Sequence, residues 1–266
     1  MTAPILVKRV TARVCRVPLT EPVTTSFGVM RDRPMLLVEI EDQAGVRGFG
    51  EVWCNFPAVG AEHRARLVDS VLTPLLIARP HATPEAAFLF LTRSTEVLAL
   101  QSAEPGPFAQ AIAGIDMALW DLAARRAGEP LWRFIHPAAS PRIGVYASGL
   151  NPDAPERLAS AMRGEGHTAF KLKIGFGRER DLANLTALRE VLGREARLMV
   201  DANQAWDCET ALAMLSDLAP FALDWLEEPI RVDCPWSQWR SLAAATRIPL
   251  AGGENIAGAG AFTEAL

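Results

Sequence analysis

The sequence predicts an α/β protein in which an N-terminal α+β domain (residues 1–129) precedes an incomplete (β/α)8-type barrel of about five strand–helix units (residues 130–266). Two observations predict this. Residues 6–53 contain runs that alternate polar and apolar side chains, which is typical of antiparallel strands. From about residue 143, short apolar runs alternate with helical patterns, which indicates parallel strands joined by crossovers. With 266 residues, of which 50% are hydrophobic, the chain can bury a substantial core.

The N-terminal domain begins with three predicted strands, at 6–18, 35–40 and 47–53. The turn residues at 41–45 predict a hairpin between the second and the third strand. Between the first two strands, residues 20–33 are rich in Pro, Thr and Gly. This segment fits either a plain surface connection or a flap over a binding site, since long irregular loops often carry binding roles.

Three helices are predicted to follow, at 61–78, 83–99 and 107–127. The third has small residues at helical spacing, which would allow close packing, and Gly128 is placed to cap its C-terminus. The pattern then switches near Pro130, where we place the domain boundary.

The predicted barrel strands lie at 143–148, 169–175, 197–204, 224–229 and 248–255. Helices are predicted between them, at 154–164, 179–193, 208–218 and 235–246, and a last helix begins after Gly260. The interval from one strand to the next matches one strand, one helix and two loops.

Charged residues recur in phase with these strands. Lys173, Asp201, Glu227 and Glu254 are separated by 28, 26 and 27 positions (201 − 173, 227 − 201 and 254 − 227). The C-terminal ends of parallel barrel strands share one rim, which carries the active site in barrels of this type. The alternative is that all four are solvated strand-end charges of the kind found in any α/β protein.

The spacing of residues within each strand predicts which side chains share a face. Lys171 and Lys173 are two apart and leave the same face, as do Asp201 and Asn203. Two nearby ammonium groups repel, and partial burial disfavours charge, so both effects are expected to lower a lysine pKa toward the range of a general base. The adjacent Glu227 and Glu228 must face oppositely, so only one of them can enter a pocket.

Three converging carboxylates would repel one another unless a cation neutralised them. An all-oxygen site suits a hard ion, which predicts Mg²⁺, with Mn²⁺ as the alternative. Such an ion, holding the carboxylate oxygens of a substrate, would stabilise the enolate formed when a base removes the α-proton.

Five motifs resemble the mandelate racemase/muconate lactonising enzyme family of the enolase superfamily. They are Phe-Lys-Leu-Lys-Ile-Gly at 170–175, Val-Asp-Ala-Asn-Gln-Ala-Trp at 200–206, Trp-Leu-Glu-Glu-Pro at 225–229, Gly-Gly-Glu-Asn at 252–255 and Ala-Leu-Trp-Asp-Leu-Ala at 118–123. Each is weak alone, but together they span most of the chain and are specific in combination.

The resemblance implies a set of metal ligands and a base. The implied Mg²⁺ ligands are Asp201, Glu227 and Glu254. Lys173 would be the proton-abstracting base, and Lys171, its neighbour, would also touch the substrate carboxylate. The Gly-Glu-Asn form of the third ligand looks more like the mandelate racemase branch than the muconate branch.

The resemblance also implies the groups that bind substrate. Asn203 would contact the substrate or the metal shell. The N-terminal domain would cap the barrel mouth, so the flap at 24–30 with Phe27, and the segment 53–56 with Trp53, would shape specificity. The implied activity is racemisation, epimerisation or dehydration of a hydroxy acid or acid sugar.

The resemblance departs from the family pattern in length. A full barrel needs eight strands, and the family's sixth to eighth strands carry the acid/base partner on the opposite face of the substrate. We therefore expect a truncated member or one half of a split enzyme. The alternatives are a metal-binding remnant without turnover, a stable non-catalytic α/β protein, and the cycloisomerase or amino-acid epimerase branch, which shares the first half-reaction.

Composition limits the partners. A net charge of −4 and the lack of a basic stripe give no case for nucleic acid, and no stretch is long and apolar enough for a membrane span. The cysteines form no CxxC pair, and Cys15 and Cys208 lie in apolar patterns, which predicts buried thiols and a cytoplasmic protein. The expected partner is a small-molecule carboxylate substrate, and family members often assemble into homo-oligomers.

Overall fold

The computed structural model of the protein describes residues 3–25 and 28–266. The chain divides by its internal contacts into two units, with the division between Arg142 and Ile143. The short helix at Leu131–Ile135 packs on the first unit, where Phe134 meets Trp120 edge-on at 6.1 Å. The predicted domain boundary near Pro130 stays a prediction.

The first unit contains a three-stranded sheet in the order β1-β2-β3. Its strands are β1 (Val7–Thr25), β2 (Gly28–Asp42) and β3 (Arg47–Val52). The predicted hairpin between β2 and β3 is present, since the two strands are antiparallel and the Asp42 amide donates to the Val46 carbonyl. The prediction of an irregular segment at 20–33 was wrong for its described residues, because β1 runs on to Thr25 and β2 already starts at Gly28.

Helices cover this sheet. They are α1 (Gly60–Leu67), α2 (Thr73–Ile77), α3 (Pro84–Gln101), α4 (Pro105–Ala127) and α5 (Leu131–Ile135). A single π turn at Val68–Leu72 joins α1 to α2, so the predicted helix at 61–78 is present with an irregular middle.

Helix α4 lies directly on β3, as its small residues predicted. A Cβ atom at Gly50 would lie 2.1 Å from the carbonyl oxygen of Gly114, and one at Gly48 would lie 2.2 Å from that of Ala118. Only glycine permits this approach of helix to strand. Gly128 ends α4 in the left-handed conformation at φ 69°, as expected for a C-terminal cap.

The described residues of the second unit form a parallel sheet with its strands in chain order. The strands are β4 (Ala147–Leu150), β5 (Ala169–Lys173), β6 (Arg197–Asp201), β7 (Leu226–Glu227) and β8 (Leu250–Ala251). The first begins later than predicted, and its pairing with β5 is irregular around Gly149, whose φ is +83°. The last two strands are shorter than predicted.

Each strand of this sheet is followed by a helix. The helices are α6 (Pro155–Gly164), α7 (Arg178–Leu192), α8 (Cys208–Leu218), α9 (Trp236–Ala245) and α10 (Gly258–Ala265). From α6 to α9 each helix contacts the next, so these four lie on one side of the sheet. Their apolar residues pack against Phe170, Leu172 and Val200, which leaves the alternate residues of each strand facing the other way.

Two further predictions concern membrane-spanning segments and the burial of the cysteines. Among the described residues, no helix combines the length and apolar character that crossing a bilayer requires. The prediction of a buried Cys15 was wrong, because this thiol is exposed, and Cys208 is only partly buried; Cys54 is the buried one. Alternation along β1 places Cys15 on the open side of the sheet, which sequence pattern alone did not resolve.

Candidate active site

Three charged residues form one row across the ends of adjacent strands. In the register of the sheet, Lys173 of β5 lies opposite Asp201 of β6, and Asp201 lies opposite Glu227 of β7. Lys171 sits two residues before Lys173 and therefore faces the same side. The predicted convergence of these side chains is thus produced by plain parallel pairing.

Lys173 is held by two acceptors from the end of β6. Its Nζ donates to Asp201 Oδ2 at 2.5 Å and to Asn203 Oδ1 at 2.8 Å. The backbone of Asn203 turns back with φ 43°, and its amide donates to Asp201 Oδ1 at 2.9 Å. Asp201, which is 0% exposed, therefore accepts hydrogen bonds both from its own strand end and from β5.

Lys171 is held by β7. Its Nζ donates to both carboxylate oxygens of Glu227, at 2.9 and 2.8 Å, and lies 3.6 Å from Asp201 Oδ2. The ammonium group also lies 5.3 Å from the centre of the Tyr146 ring, within the range of a cation–π contact. The indole nitrogen of Trp225 donates to Glu227 Oε2 at 3.1 Å.

Sequence reasoning missed Tyr146 and Trp225. The two rings meet edge-on at 5.6 Å and together flank the pair formed by Lys171 and Glu227. Trp225 could have been found, since it lies two residues before Glu227 and so shares its face. Tyr146 precedes β4 and carried no such signal, because the contact depends on the irregular start of that strand.

The expected lowering of the lysine pKa was wrong for Lys171. Burial lowers the pKa of this ammonium group, but the hydrogen bond and the charge of Glu227, followed by the charge of Asp201 and a contact with Tyr146, raise it more. The pKa of Lys171 therefore lies above its ordinary value. The prediction considered the neighbouring lysine and burial, whereas the hydrogen bond and the charge of Glu227 outweigh burial in the structure.

Glu228 points away from Glu227, as predicted for adjacent strand residues. It is 1% exposed, and both of its carboxylate oxygens lie 3.0 Å from Nδ2 of Asn255. Burial raises the pKa of the Glu228 carboxyl group, while the hydrogen bond from Asn255 opposes the shift. The negative charges of Glu254, Asp201 and Glu227 raise it further, so these three carboxylates lie within electrostatic reach of Glu228.

The donor set fits a hard cation by its chemistry. Asp201 and Glu227 are adjacent carboxylates on neighbouring strands, while Glu254 is exposed on the segment after β8. Within residues 3–25 and 28–266, no three His, Cys, Asp or Glu side chains are arranged to hold a metal ion. Lysine ammonium groups neutralise the first two carboxylates here, so the ligand set Asp201, Glu227 and Glu254 remains a prediction.

The structure does not test the two predicted specificity residues. Trp53 belongs to the first unit, where it is half-exposed and the Arg64 guanidinium lies 5.9 Å from the centre of its ring. Phe27 lies outside the described residues. Their predicted contacts with substrate remain predictions.

A cavity of about 380 Å³ opens beside β8. It is lined by Glu228 and by apolar side chains of α9, β8 and α10, which include Trp236, Trp239, Leu250 and Phe262. Because Glu228 and Glu227 leave opposite faces of β7, this cavity is distinct from the lysine cluster.

Two family models match the chain. Residues 9–135 match the N-terminal domain of the mandelate racemase/muconate lactonizing enzyme family, and residues 154–266 match the enolase C-terminal domain-like family. Curated relatives include racemases, epimerases, dehydratases and cycloisomerases.

Individual relatives agree with these matches. The chain is 32% identical over 257 residues to the 3,6-anhydro-alpha-L-galactonate cycloisomerase of Streptomyces coelicolor, covering 94% of this chain and 69% of the relative. A crystal structure of a mandelate racemase/muconate lactonizing enzyme from Bordetella bronchiseptica RB50 superposes with a TM-score of 0.92 at 55% identity, covering 99% of this chain and 69% of that one. A racemase from Streptomyces coelicolor A3(2) with bound magnesium superposes with a TM-score of 0.88 at 31% identity, covering 98% and 72%.

The chain spans 58% to 69% of the length of three curated relatives that it matches. The five parallel strands and their helices correspond to part of the enolase-type α/β barrel, and the unit before them corresponds to the family's N-terminal α+β domain. The chain therefore belongs to the mandelate racemase/muconate lactonising enzyme family of the enolase superfamily.

Proposed function

We propose that the protein removes the proton α to a carboxylate in a Mg²⁺-dependent reaction, leading to racemisation, epimerisation or dehydration of a hydroxy acid or acid sugar. One observation carries this proposal: two lysines on one face of β5 each meet a carboxylate, Lys173 that of Asp201 on the neighbouring β6 and Lys171 that of Glu227 on β7, the strand beyond it. The combination supplies a base, a fixed positive charge and oxygen donors within a few ångströms.

Lys171 fits the role of carboxylate binder. Its Nζ lies 2.8 Å from Glu227 and 3.6 Å from Asp201, and a lysine with an ordinary pKa is already charged at neutral pH. A charged ammonium group with a mostly buried side chain can orient a substrate carboxylate by an ion pair. It is poorly suited to accept a proton.

Lys173 fits the role of base. Its side chain is 27% exposed, against 8% for Lys171, so it is the more accessible of the two lysines. Its hydrogen bonds to Asp201 and Asn203 fix the direction of Nζ. Once neutral, this amine would accept the α-proton of a substrate held by Lys171.

Asp201, Glu227 and Glu254 would hold Mg²⁺. When bound there, the ion supplies positive charge that lowers the cost of removing a proton beside a carboxylate. Glu227 is fixed by Lys171 and Trp225, and Asp201 by the end of its own strand. These two carboxylates are thus oriented by the chain itself.

Proton exchange tests the proposal directly. A panel of carboxylic acids is incubated in D₂O with protein and Mg²⁺, and deuterium at the α-carbon is followed by NMR. We expect exchange with at least one acid, lost by at least 100-fold in Lys173→Ala, because a general base contributes about 10²–10⁴-fold.

Lys8 provides the control, since it is the only lysine in the sequence besides Lys171 and Lys173. This residue pairs with Glu41 in the first unit, so Lys8→Ala is expected to exchange at the wild-type rate. The lack of exchange with every acid tested, or equal exchange by wild type and Lys173→Ala, would contradict the proposal.

A cycloisomerase is the second candidate. It is favoured by the 32% identity to a cycloisomerase over 94% of the chain. Because it shares the first proton abstraction, α-proton exchange does not separate the two candidates. Product analysis does, since a cycloisomerase converts the acid to a different skeleton and a racemase only inverts it.

A further inference from the structure

The carboxylate of Glu228 has no part in the proposed reaction, although it is almost fully buried beside the proposed metal ligands. It follows Glu227 in the chain but faces the opposite way, and both of its oxygens are taken by the side-chain amide of Asn255. Burying a carboxylate is costly unless hydrogen bonds compensate it. A position that keeps one therefore needs a physical reason.

The backbone of Glu228 connects three strand ends. Its amide donates to the Ala251 carbonyl of β8 at 2.9 Å, and its carbonyl accepts from the Gln204 amide, just after β6, at 2.7 Å. Its φ of 42° is in the left-handed region, which is unfavourable for a residue other than glycine and persists only where the surroundings enforce it. The backbone of Glu228 is therefore held in place by β8 and by the segment after β6.

Asn255 links Glu228 to the third proposed ligand, because it hydrogen-bonds to Glu228 and directly follows Glu254 in the chain. Backbone pairing alone holds this region weakly, since β7 and β8 pair over two residues only. The segment after β8 is exposed, and the contact of Asn255 with Glu228 is a side-chain tie between that segment and the end of β7.

We propose that Glu228 and Asn255 form an anchor that positions Glu254 for Mg²⁺, so that both are positioning residues and neither is a ligand. This inference rests on the metal centre of the proposed function. Removing a residue that orients a metal ligand typically weakens metal binding by about 10–100-fold.

Mg²⁺ affinity is the readout, measured by titration calorimetry on the full chain with Mg²⁺ alone. We expect Asn255→Ala and Glu228→Ala each to weaken binding by about 10–100-fold. The double variant should bind no more weakly than either single one, because both remove the same contact. Glu228→Gln keeps an acceptor oxygen for the Asn255 amide and should bind within about three-fold of wild type.

Two controls separate affinity from folding. Thermal unfolding in EDTA shows whether each variant is folded before titration, and if Glu228→Ala is not, Asn255→Ala and Glu228→Gln decide the question. Glu209→Ala, at an exposed position in the first turn of α8, is the matched loss of a surface carboxylate and should bind as wild type does.

Three results would overturn the anchor. They are wild-type affinity in a folded Asn255→Ala variant, a Glu228→Gln variant that binds as weakly as Glu227→Gln, which would make Glu228 a ligand, and no Mg²⁺ binding by the wild type. The last would remove the metal centre of the proposed function as well. Mg²⁺ binding that depends on the anchor, without α-proton exchange, would instead support the anchor and contradict the reaction.

Discussion

The two strand pairs that supply the candidate site are built differently. Strands β5 and β6 pair in unbroken register over five residues, which ends with Lys173 opposite Asp201. Strands β7 and β8 pair over two residues, which ends with Glu227 opposite Ala251. The first pair therefore places its functional groups by backbone hydrogen bonds, whereas the second depends largely on side-chain contacts.

Burial follows the same division. Asp201 is inaccessible to solvent and accepts from both sides, whereas Glu254 is exposed on the segment that follows β8. Removing one partner of a buried ion pair is strongly destabilising because it leaves the other charge uncompensated, whereas removing an exposed charge has little effect. We therefore expect the β5–β6 side of the site to determine stability and the β7–β8 side to determine how tightly a cation is held.

Neutralising Asp201 is expected to have the largest effect on stability. Asp201→Asn leaves the ammonium group of Lys173 without its carboxylate partner, while Lys171 keeps Glu227, and the loss is expected to cost about 3–5 kcal/mol in the free energy of unfolding. Glu254→Gln should leave that free energy unchanged while still weakening Mg²⁺ binding. Urea unfolding in EDTA measures the stability of both variants, and equal midpoints for the two would refute the division.

The loop after β5 gives the next largest effect. Gly175 has φ +95°, and a Cβ there would lie 2.6 Å from the Cβ of Ala205, whereas Gly177 has φ +111° with no atom within 4 Å of such a Cβ. Gly175→Ala and Gly177→Ala both place a side chain at a positive φ, which costs about 1–3 kcal/mol at each position. Only the former also meets a clash, so it should be less stable by a further ~1–3 kcal/mol.

Urea unfolding of the two glycine variants measures this difference. If Gly175→Ala and Gly177→Ala have the same stability, the loop after β5 yields to the added methyl group. The β5–β6 side would then be no more rigid at its strand end than the β7–β8 side.

The sequence sufficed to predict the row of charges but not their partners. The phase of Lys173, Asp201 and Glu227 is readable because one strand, one helix and two loops have a nearly constant length. Strand register decides which ammonium group meets which carboxylate, and register is set by tertiary packing. The pKa direction of Lys171 was wrong for that reason.

Boundaries were predictable where a regular pattern ends at a capping residue, as at Gly128. They were not predictable where irregular backbone is stabilised by its surroundings. The late start of β4 near Gly149 is one example, and the left-handed conformation of Glu228 is the other. The extension of β1 to Thr25 was missed because Pro and Thr within a sheet edge resemble a loop in composition.

The β5–β6 side has a buried carboxylate, Asp181, as the β7–β8 side has Glu228. The Asp181 carboxylate is 1% exposed and accepts from the backbone amides of Gly175 and Phe176, at 2.9 and 3.3 Å. Burial raises the pKa of Asp181, and the two hydrogen bonds only partly offset this effect. Each strand pair is therefore followed by a segment tied to one buried carboxylate.

A pH series tests this parallel. Because the pKa of Asp181 is higher in the folded than in the unfolded state, its contribution to stability is full below the ordinary value of 3.8 and is lost as pH rises through the raised pKa. The stability of wild type relative to Asp181→Asn should fall across that window. The fall should be about 1.4 kcal/mol for each pH unit that separates the folded from the unfolded pKa.

Asp217 supplies the control of opposite sign. Its pKa is lowered by the hydrogen bond from Arg178, so its contribution is present above 3.8 and is lost as pH falls through the lowered pKa. The difference between wild type and Asp217→Asn should therefore change in the other direction. A difference between wild type and Asp181→Asn that does not vary with pH would contradict the assignment.

The smallest expected effect concerns the orientation of the Glu227 carboxylate at the end of β7. Trp225→Phe keeps the ring that meets Tyr146 but removes the indole donor to Glu227, while Trp239→Phe, in α9, removes an indole donor to the Arg231 carbonyl. The first variant should weaken Mg²⁺ binding by about 0.5–1.5 kcal/mol, which is up to roughly ten-fold, and the second should not change it. If Trp225→Phe binds Mg²⁺ as wild type does, Lys171 alone orients Glu227. The β7 side would then depend on β5, and the two strand pairs would act as one unit.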